Sequence, residues 1–151
     1  MELSAELKQL YQDLILDHGR RPRHFKKLDH YTHHLDGYNP VCGDQITLYL
    51  EVEGDTVKDA SFLGHGCAIS MASASLMASQ IRGKRIDDVK ALQQCFHQVV
   101  TTDDDREAEK LGKLKVLAGV KAFPSRVKCA TLAWHTLKNA LEGQQGKVST
   151  E

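Results

Sequence analysis

Three cysteines, each standing where a tight turn or a helix start is expected, do most to constrain the fold of this chain. Cys42 lies in Asn39-Pro40-Val41-Cys42-Gly43-Asp44, Cys67 follows Gly64-His65-Gly66, and Cys129 sits in the first turns of a helix that begins near Pro124. The i, i+2 spacing of Cys42 and Asp44 lets both side chains point the same way. Gly43 lets the backbone fold tightly around an ion, and Asn39-Pro40 fixes a turn upstream. Cys67 stands at a helix start, where backbone N–H groups and the helix dipole lower a thiol pKa.

Each site alone has a plain reading: an ordinary turn, a small buried cysteine, or a helix face continued by Leu132, Ala133, Thr136 and Ala140. Taken together, three thiolates and Asp44 would make a four-ligand tetrahedral set suited to zinc. Such a set leaves about two excess negative charges by formal count, so cations are expected nearby. Arg126 and Lys128 flank Cys129 as partial compensation and as a means of steering an anionic persulfide; a solvated helix start is the plain alternative. Cys95, between Leu92 and Phe96, reads as core. His65, two residues before Cys67, is a competing ligand or a solvated loop residue, and His18, His24 and His33-His34 default to the surface.

Along the chain, Leu7, Leu10, Tyr11, Leu14 and Ile15 draw one apolar helix face from Ser4 to about His18, and Gly19 is expected to stop that helix. The polar, histidine-rich stretch from Phe25 to Tyr38 reads as irregular, with at most one edge strand. Ile46, Leu48, Leu50 and Val52 alternate with polar positions as in a half-buried strand. Glu53-Gly54-Asp55 turns the chain, and Val57 to Leu63 reads as the hairpin partner. Ala68 to Met77 predicts a buried helix rich in small residues. Ile86 to Val100 predicts an amphipathic helix with Val89, Leu92, Phe96 and Val99 on one side. Asp103-Asp104-Asp105 precedes a short helix from about Arg106 to Leu117, and Pro124 to about Leu141 forms the last helix. The expectation is an α+β fold, a small antiparallel sheet of about three strands packed against several α-helices, in a single domain 1–151 whose residues 142–151 form a flexible tail.

Composition narrows the function. Lys plus Arg and Asp plus Glu number 20 each, so no net field recruits nucleic acid or an anionic membrane. No segment approaches the ~20 apolar residues of a membrane span, and the acidic, helix-patterned N-terminus does not read as a secretion signal. A cytoplasmic, reducing location is expected, in which the four cysteines serve metal or catalysis rather than disulfides. The acidic run at Asp103 lacks the glycine and closing glutamate of an EF-hand. Zinc-deaminase and phosphate-loop motifs are absent.

Three blocks carry a family resemblance: Asn39 to Asp44, Gly64 to Ser70, and Phe123-Pro124-Ser125-Arg126-Val127-Lys128-Cys129-Ala130-Thr131-Leu132-Ala133-Trp134. They resemble the signature blocks of the U-type iron–sulfur assembly proteins, and Tyr11 to His18 with Pro22-Arg23 is similar too. Lys128 immediately before Cys129, where the IscU-type scaffold has histidine, and the long interval from Cys67 to Cys129 point to the SufU branch. Gly19-Arg20-Arg21 and His24 depart from the commoner wording. The resemblance implies a SufU/IscU-like fold and Zn2+ held by Cys42, Asp44, Cys67 and Cys129. It also implies a zinc-dependent sulfurtransferase in which Cys42 accepts persulfide sulfur from a pyridoxal-phosphate cysteine desulfurase of the SufS type, with Arg126 assisting. In the family mechanism a desulfurase histidine takes the metal position of Cys42, and the sulfur passes on to a downstream cluster-assembly scaffold complex. A cluster scaffold using the same cysteines, a structural zinc interaction module and a metal-free protein with buried cysteines are the alternatives.

Overall fold

The computed structural model describes residues 5–104, 106–143 and 146–150, with the side chains of residues 5–7 left aside. Ser4, the Leu7 side chain and Asp105, invoked above, lie outside the described residues.

The alternating segment forms the middle of a sheet. β1 (His33–Asn39), β2 (Asp44–Glu53) and β3 (Thr56–His65) run antiparallel, and β4 (Lys147–Ser149) pairs parallel with β1, in the order β3-β2-β1-β4. Gly54, at φ +61, closes the β2–β3 hairpin, a conformation that glycine adopts without strain. The period-two pattern places Leu35 and Gly37 of β1 and Ile46, Leu48 and Leu50 of β2 on the buried face, where Ala60 and Phe62 of β3 join them. Because Asn39 pairs with Asp44, these two polar residues continue the same buried face at the end of the hairpin.

Helices cover that face. α1 (Ala5–Arg20) packs on α2 (Ala68–Ile81), which is buried from Ser70 to Ala78; α3 (Ile86–Thr101) and α4 (Pro124–Leu141) complete the layer. The alanine and serine positions of α2 let its backbone lie close to its neighbours. Ser73 Oγ donates to Ala130 O at 2.6 Å and accepts from Trp134 Nε1 at 3.2 Å, tying α2 to α4. Phe96 and Trp134 stack at 4.7 Å, an arrangement worth about 0.5–1.5 kcal/mol beyond area burial.

The structure departs from the sequence reading in several places. Gly19 does not stop α1: it lies inside the helix, where a Cβ would come within 3.0–3.1 Å of the Ala68 backbone, so glycine there permits the α1–α2 approach. Residues 33–39 form β1, flanked on both sides rather than standing at an edge. Residues 147–149, expected in a frayed tail, form the fourth strand, and Thr150 N donates to Tyr38 O at 3.0 Å. The segment expected as a short helix to Leu117 is a 3-10 run, Ala108–Ala122, broken at Gly112 by φ 57. His18, expected at the surface, is buried, with Nδ1 2.7 Å from Ser75 Oγ, an oxygen that also accepts Arg23 N–H at 2.8 Å.

Gly37 is the position where α4 lies closest to the sheet; a Cβ there would overlap Thr136 Oγ1, which is itself held on Leu132 O at 2.8 Å. Gly37→Ala is therefore expected to destabilise the chain by about 1–3 kcal/mol, read as a lower urea midpoint. Burial, and then Arg23, lowers the pKa of His18 below its ordinary 6.5. The unfolded chain thus takes up a proton that the folded chain refuses, so stability is complete above that pH and falls as the solution is acidified through it. In thermal unfolding between pH 7.5 and 5.5, His18→Gln is expected to give a shallower loss of Tm than the parent chain.

Candidate metal centre

The thiol cluster is assembled at one end of the sheet, where the β1–β2 turn meets the starts of two helices. Residues 40–43 connect Asn39 to Asp44, Gly43 takes φ +75, and its N–H donates to Asn39 O at 2.8 Å. Only a residue tolerant of positive φ closes such a turn without strain. Cys42 is carried at the exposed tip. Cys67 is the N-cap of α2, its sulfur accepting from Ser70 N at 3.5 Å. Cys129 lies in the second turn of α4, 0% exposed.

Asp44, 1% exposed, has both carboxylate oxygens engaged: Oδ1 accepts Cys67 N–H at 2.9 Å and Oδ2 accepts Asn39 Nδ2 at 3.1 Å. The same Asn39 amide lies 3.7 Å from Cys129 Sγ, while its oxygen accepts Val41 N–H at 3.3 Å and Thr150 Oγ1–H at 3.1 Å. Gly66 leaves room for this carboxylate, since a Cβ there would stand 2.5 Å from Asp44 Oδ1.

Cys42, Asp44 and Cys129 place one ligand atom each within 4.8 Å of one another, and Cys129 Sγ donates to Cys42 Sγ at 3.4 Å. Two sulfurs on one tetrahedral zinc stand roughly 3.8 Å apart when each bond is about 2.3 Å, so the donors need only small shifts to take such an ion. Burial, followed by the neighbouring Cys42, Asp44 and Cys67, pushes the Cys129 thiol far above the usual thiol range. A thiolate there needs a positive charge beside it. The residues present therefore fit a divalent ion preferring sulfur and oxygen ligands.

Of the residues singled out from sequence, the structure brings together Cys42, Asp44 and Cys129, with Cys67 joined to Asp44 through its own N–H. Arg126 is exposed in the first turn of α4, its N–H donating to Phe123 O at 2.8 Å, and Lys128 is half-buried. His65 is exposed at the end of β3 and takes no part in the cluster. Cys95 packs against the core from a half-buried position, its thiol donating to Glu107 O at 3.3 Å, and burial raises its pKa. Sequence reasoning treated Asn39 as a turn former and missed it as the amide that links Asp44 to Cys129. The signal was its phase with Leu35 and Gly37, which puts a polar side chain on a buried face.

Known proteins match this arrangement over most of its length. The family model described as the NifU-like N terminal domain matches residues 10–130. The zinc-dependent sulfurtransferase SufU of Bacillus subtilis is 39% identical over 146 residues, covering 97% of this chain and 99% of that one. The iron–sulfur cluster assembly scaffold protein IscU of Thermotoga maritima is 43% identical over 135 residues, covering 89% and 94%. A crystal structure from Fervidobacterium islandicum, described as an iron–sulfur cluster assembly scaffold for the SUF system, superposes with a TM-score of 0.82 at 33% identity, covering 91% of this chain and 99% of that one. With the family model spanning most of the chain and relatives of near-equal extent above 30% identity, this chain belongs to the NifU-like N-terminal domain family, the U-type proteins of iron–sulfur cluster assembly.

Proposed function

We propose that this chain is a zinc-dependent sulfur-transfer protein, in which Cys42 accepts persulfide sulfur from a pyridoxal-phosphate cysteine desulfurase of the SufS type. Cys42, Asp44, Cys67 and Cys129 would hold the ion. The observation that carries the reading is the contrast within the cluster: Cys42 is exposed at a hairpin tip, while Asp44 and Cys129 are buried and fixed. A reactive sulfur at the surface on an otherwise rigid set suits delivery from a large partner. The Bacillus subtilis relative, named a zinc-dependent sulfurtransferase, supports it.

Bound zinc would supply charge that holds thiols as thiolates, without redox chemistry of its own. The residues do the rest. The Cys42 thiolate attacks the terminal sulfur of the donor's persulfide; a new S–S bond forms on Cys42, the donor's S–S bond breaks, and the donor cysteine leaves as a thiolate, with no net oxidation. Asn39 and the Cys67 N–H keep Asp44 in place while Cys42 moves. Arg126, exposed at the start of α4, is assigned to steer the anionic sulfur. The sulfur then passes to a downstream cluster-building complex, all of this in the cytoplasm; among the described residues no helix is long and apolar enough to cross a membrane.

A cluster scaffold is the second reading, favoured by the identity with the Thermotoga maritima protein of that name. Anaerobic purification without a histidine tag separates the two: about one zinc per chain without iron supports sulfur transfer, whereas stoichiometric iron with sulfide supports the scaffold. Cys42→Ala is expected to abolish stimulation of a SufS-type desulfurase while leaving a folded chain, and full stimulation by the variant would remove Cys42 as acceptor. Asp44→Ala is expected to lower zinc affinity by at least about tenfold in competition with a chromophoric chelator; unchanged affinity together with unchanged turnover would remove Asp44 as a ligand.

A further inference from the structure

Two buried side-chain polar atoms have no hydrogen-bond partner among the described residues: Ser61 Oγ in β3 and Ser70 Oγ in the first turn of α2. Buried polar groups are ordinarily paired, so each orphan asks for a cause. Ser70 is 1% exposed and stands three positions after Cys67, the N-cap of α2. Its place in the helix supplies the first part of the answer. Ser79, Thr101, Thr131 and Thr136 each donate to the carbonyl four residues back, the usual resort of a hydroxyl inside a helix. For Ser70 that carbonyl belongs to Gly66, ahead of the helix start, and no such bond forms.

Two contacts indicate what the hydroxyl can reach instead. Ser70 N–H donates to Cys67 Sγ at 3.5 Å, and Oγ is only three covalent bonds from that nitrogen. Ser73, on the same face of the helix, donates to Ala130 O at 2.6 Å, the residue after Cys129. Since α2 and α4 both begin at the thiol cluster, Ser70 lies one turn nearer the cluster than this contact.

The acceptors at this end differ in how far they are already satisfied. Asp44 has a donor on each oxygen, and Cys129 Sγ has the Asn39 amide at 3.7 Å. Cys67 Sγ accepts from Ser70 N–H at the long distance given above. A neutral thiol is a weak acceptor, which accounts for a hydroxyl left idle near it. A thiolate is charged, and hydrogen bonds to ions are the stronger kind.

We propose that Ser70 is a positioning residue of the sulfur centre: when Cys67 is held as a thiolate, the Ser70 hydroxyl turns about its Cα–Cβ bond and donates to that sulfur. Two hydrogen bonds from one residue then fix Cys67 and withdraw charge from it, which makes it a poorer nucleophile. Sulfur chemistry is thereby directed to Cys42 on the exposed turn. The inference rests on the reading of Cys67 as a metal ligand, and the test separates the two.

The test uses the full chain, purified without oxygen and without a tag, with cobalt(II) as a probe whose charge-transfer absorption reports the thiolates bound to it. Ser70→Ala introduces the strongest helix former and removes a hydroxyl that is unpaired in the metal-free chain, so the Tm of the metal-free variant is expected to be unchanged or higher. In the cobalt-loaded variant the charge-transfer band is expected at longer wavelength. Zinc affinity, by chelator competition, is expected to fall at least about tenfold. Alkylation of Cys67 relative to Cys42 in the zinc-loaded chain, followed by peptide mass spectrometry, is expected to rise at least about threefold. An unmoved band with unchanged affinity overturns the proposal, and so does a fall in Tm that is equal in the metal-free and zinc-loaded chains. Cys67→Ala tells the two failures apart. If it lowers the cobalt–thiolate absorption while Ser70→Ala changes nothing, Cys67 stands as a ligand and the role of Ser70 falls; if it leaves that absorption intact, the ligand reading itself falls.

Discussion

The interaction on which the rest of this structure depends is the buried carboxylate of Asp44. A buried anion is tolerated only where hydrogen bonds and charge replace its hydration. Here each oxygen has a donor from a different part of the chain: Cys67 N–H at the start of α2 and the Asn39 amide at the end of β1. One side chain therefore ties the hairpin end to a helix start, and does so at the point where the sheet's buried face stops being apolar. The helix N-terminus complements the negative charge, so Asp44 holds the N–H of Cys67, the N-cap of α2, while remaining beside the sulfurs. This dual role explains the small residue at Gly66, because any side chain there would push the carboxylate off the Cys67 N–H.

Behind this end, packing supplies the rigidity that the cluster needs. α2 is buried along most of its length, and two of its serines are paired inward: Ser73 to α4 and Ser75 to the α1 region. Such hydrogen-bonded contacts fix relative helix positions more strictly than apolar burial alone. Cys67 at one end of α2 and Cys129 on α4 are thereby held at a separation set by the Ser73–Ala130 contact. Cys42 escapes that constraint, since the turn that carries it packs against little, and Val41 beside it is 54% exposed. The cluster thus combines fixed and movable sulfurs.

Much of this was legible in sequence. The strands β2 and β3, the buried α2, the amphipathic α3 and the start of α4 at Pro124 follow from period and caps, and the structure has them. The three thiol blocks were recognisable because each couples a cysteine to turn or helix-start chemistry, and three of the four expected donors meet within one small cluster. What escaped were features set by tertiary contact. β1 contains Gly37 and two histidines, so its pattern is blurred; it forms because β2 and β4 pair on either side. Gly19 looked like a stop because a glycine after a helix usually is one, whereas here a close neighbour requires it. His18 looked like a surface residue because only the fold reveals Ser75 beside it. β4 is three residues long, too short for any periodicity to announce.

That short strand carries a practical consequence. Thr150 is two hydrogen bonds from the sulfur cluster, through Asn39 to Asp44 and Cys129. A peptide fused beyond it would emerge beside the thiol cluster rather than at a remote end of the molecule. A polyhistidine tag there would bring metal-binding imidazoles to the thiol cluster and so distort any metal content measured on the tagged chain; the same extension ahead of α1 would not enter the sheet that builds the site.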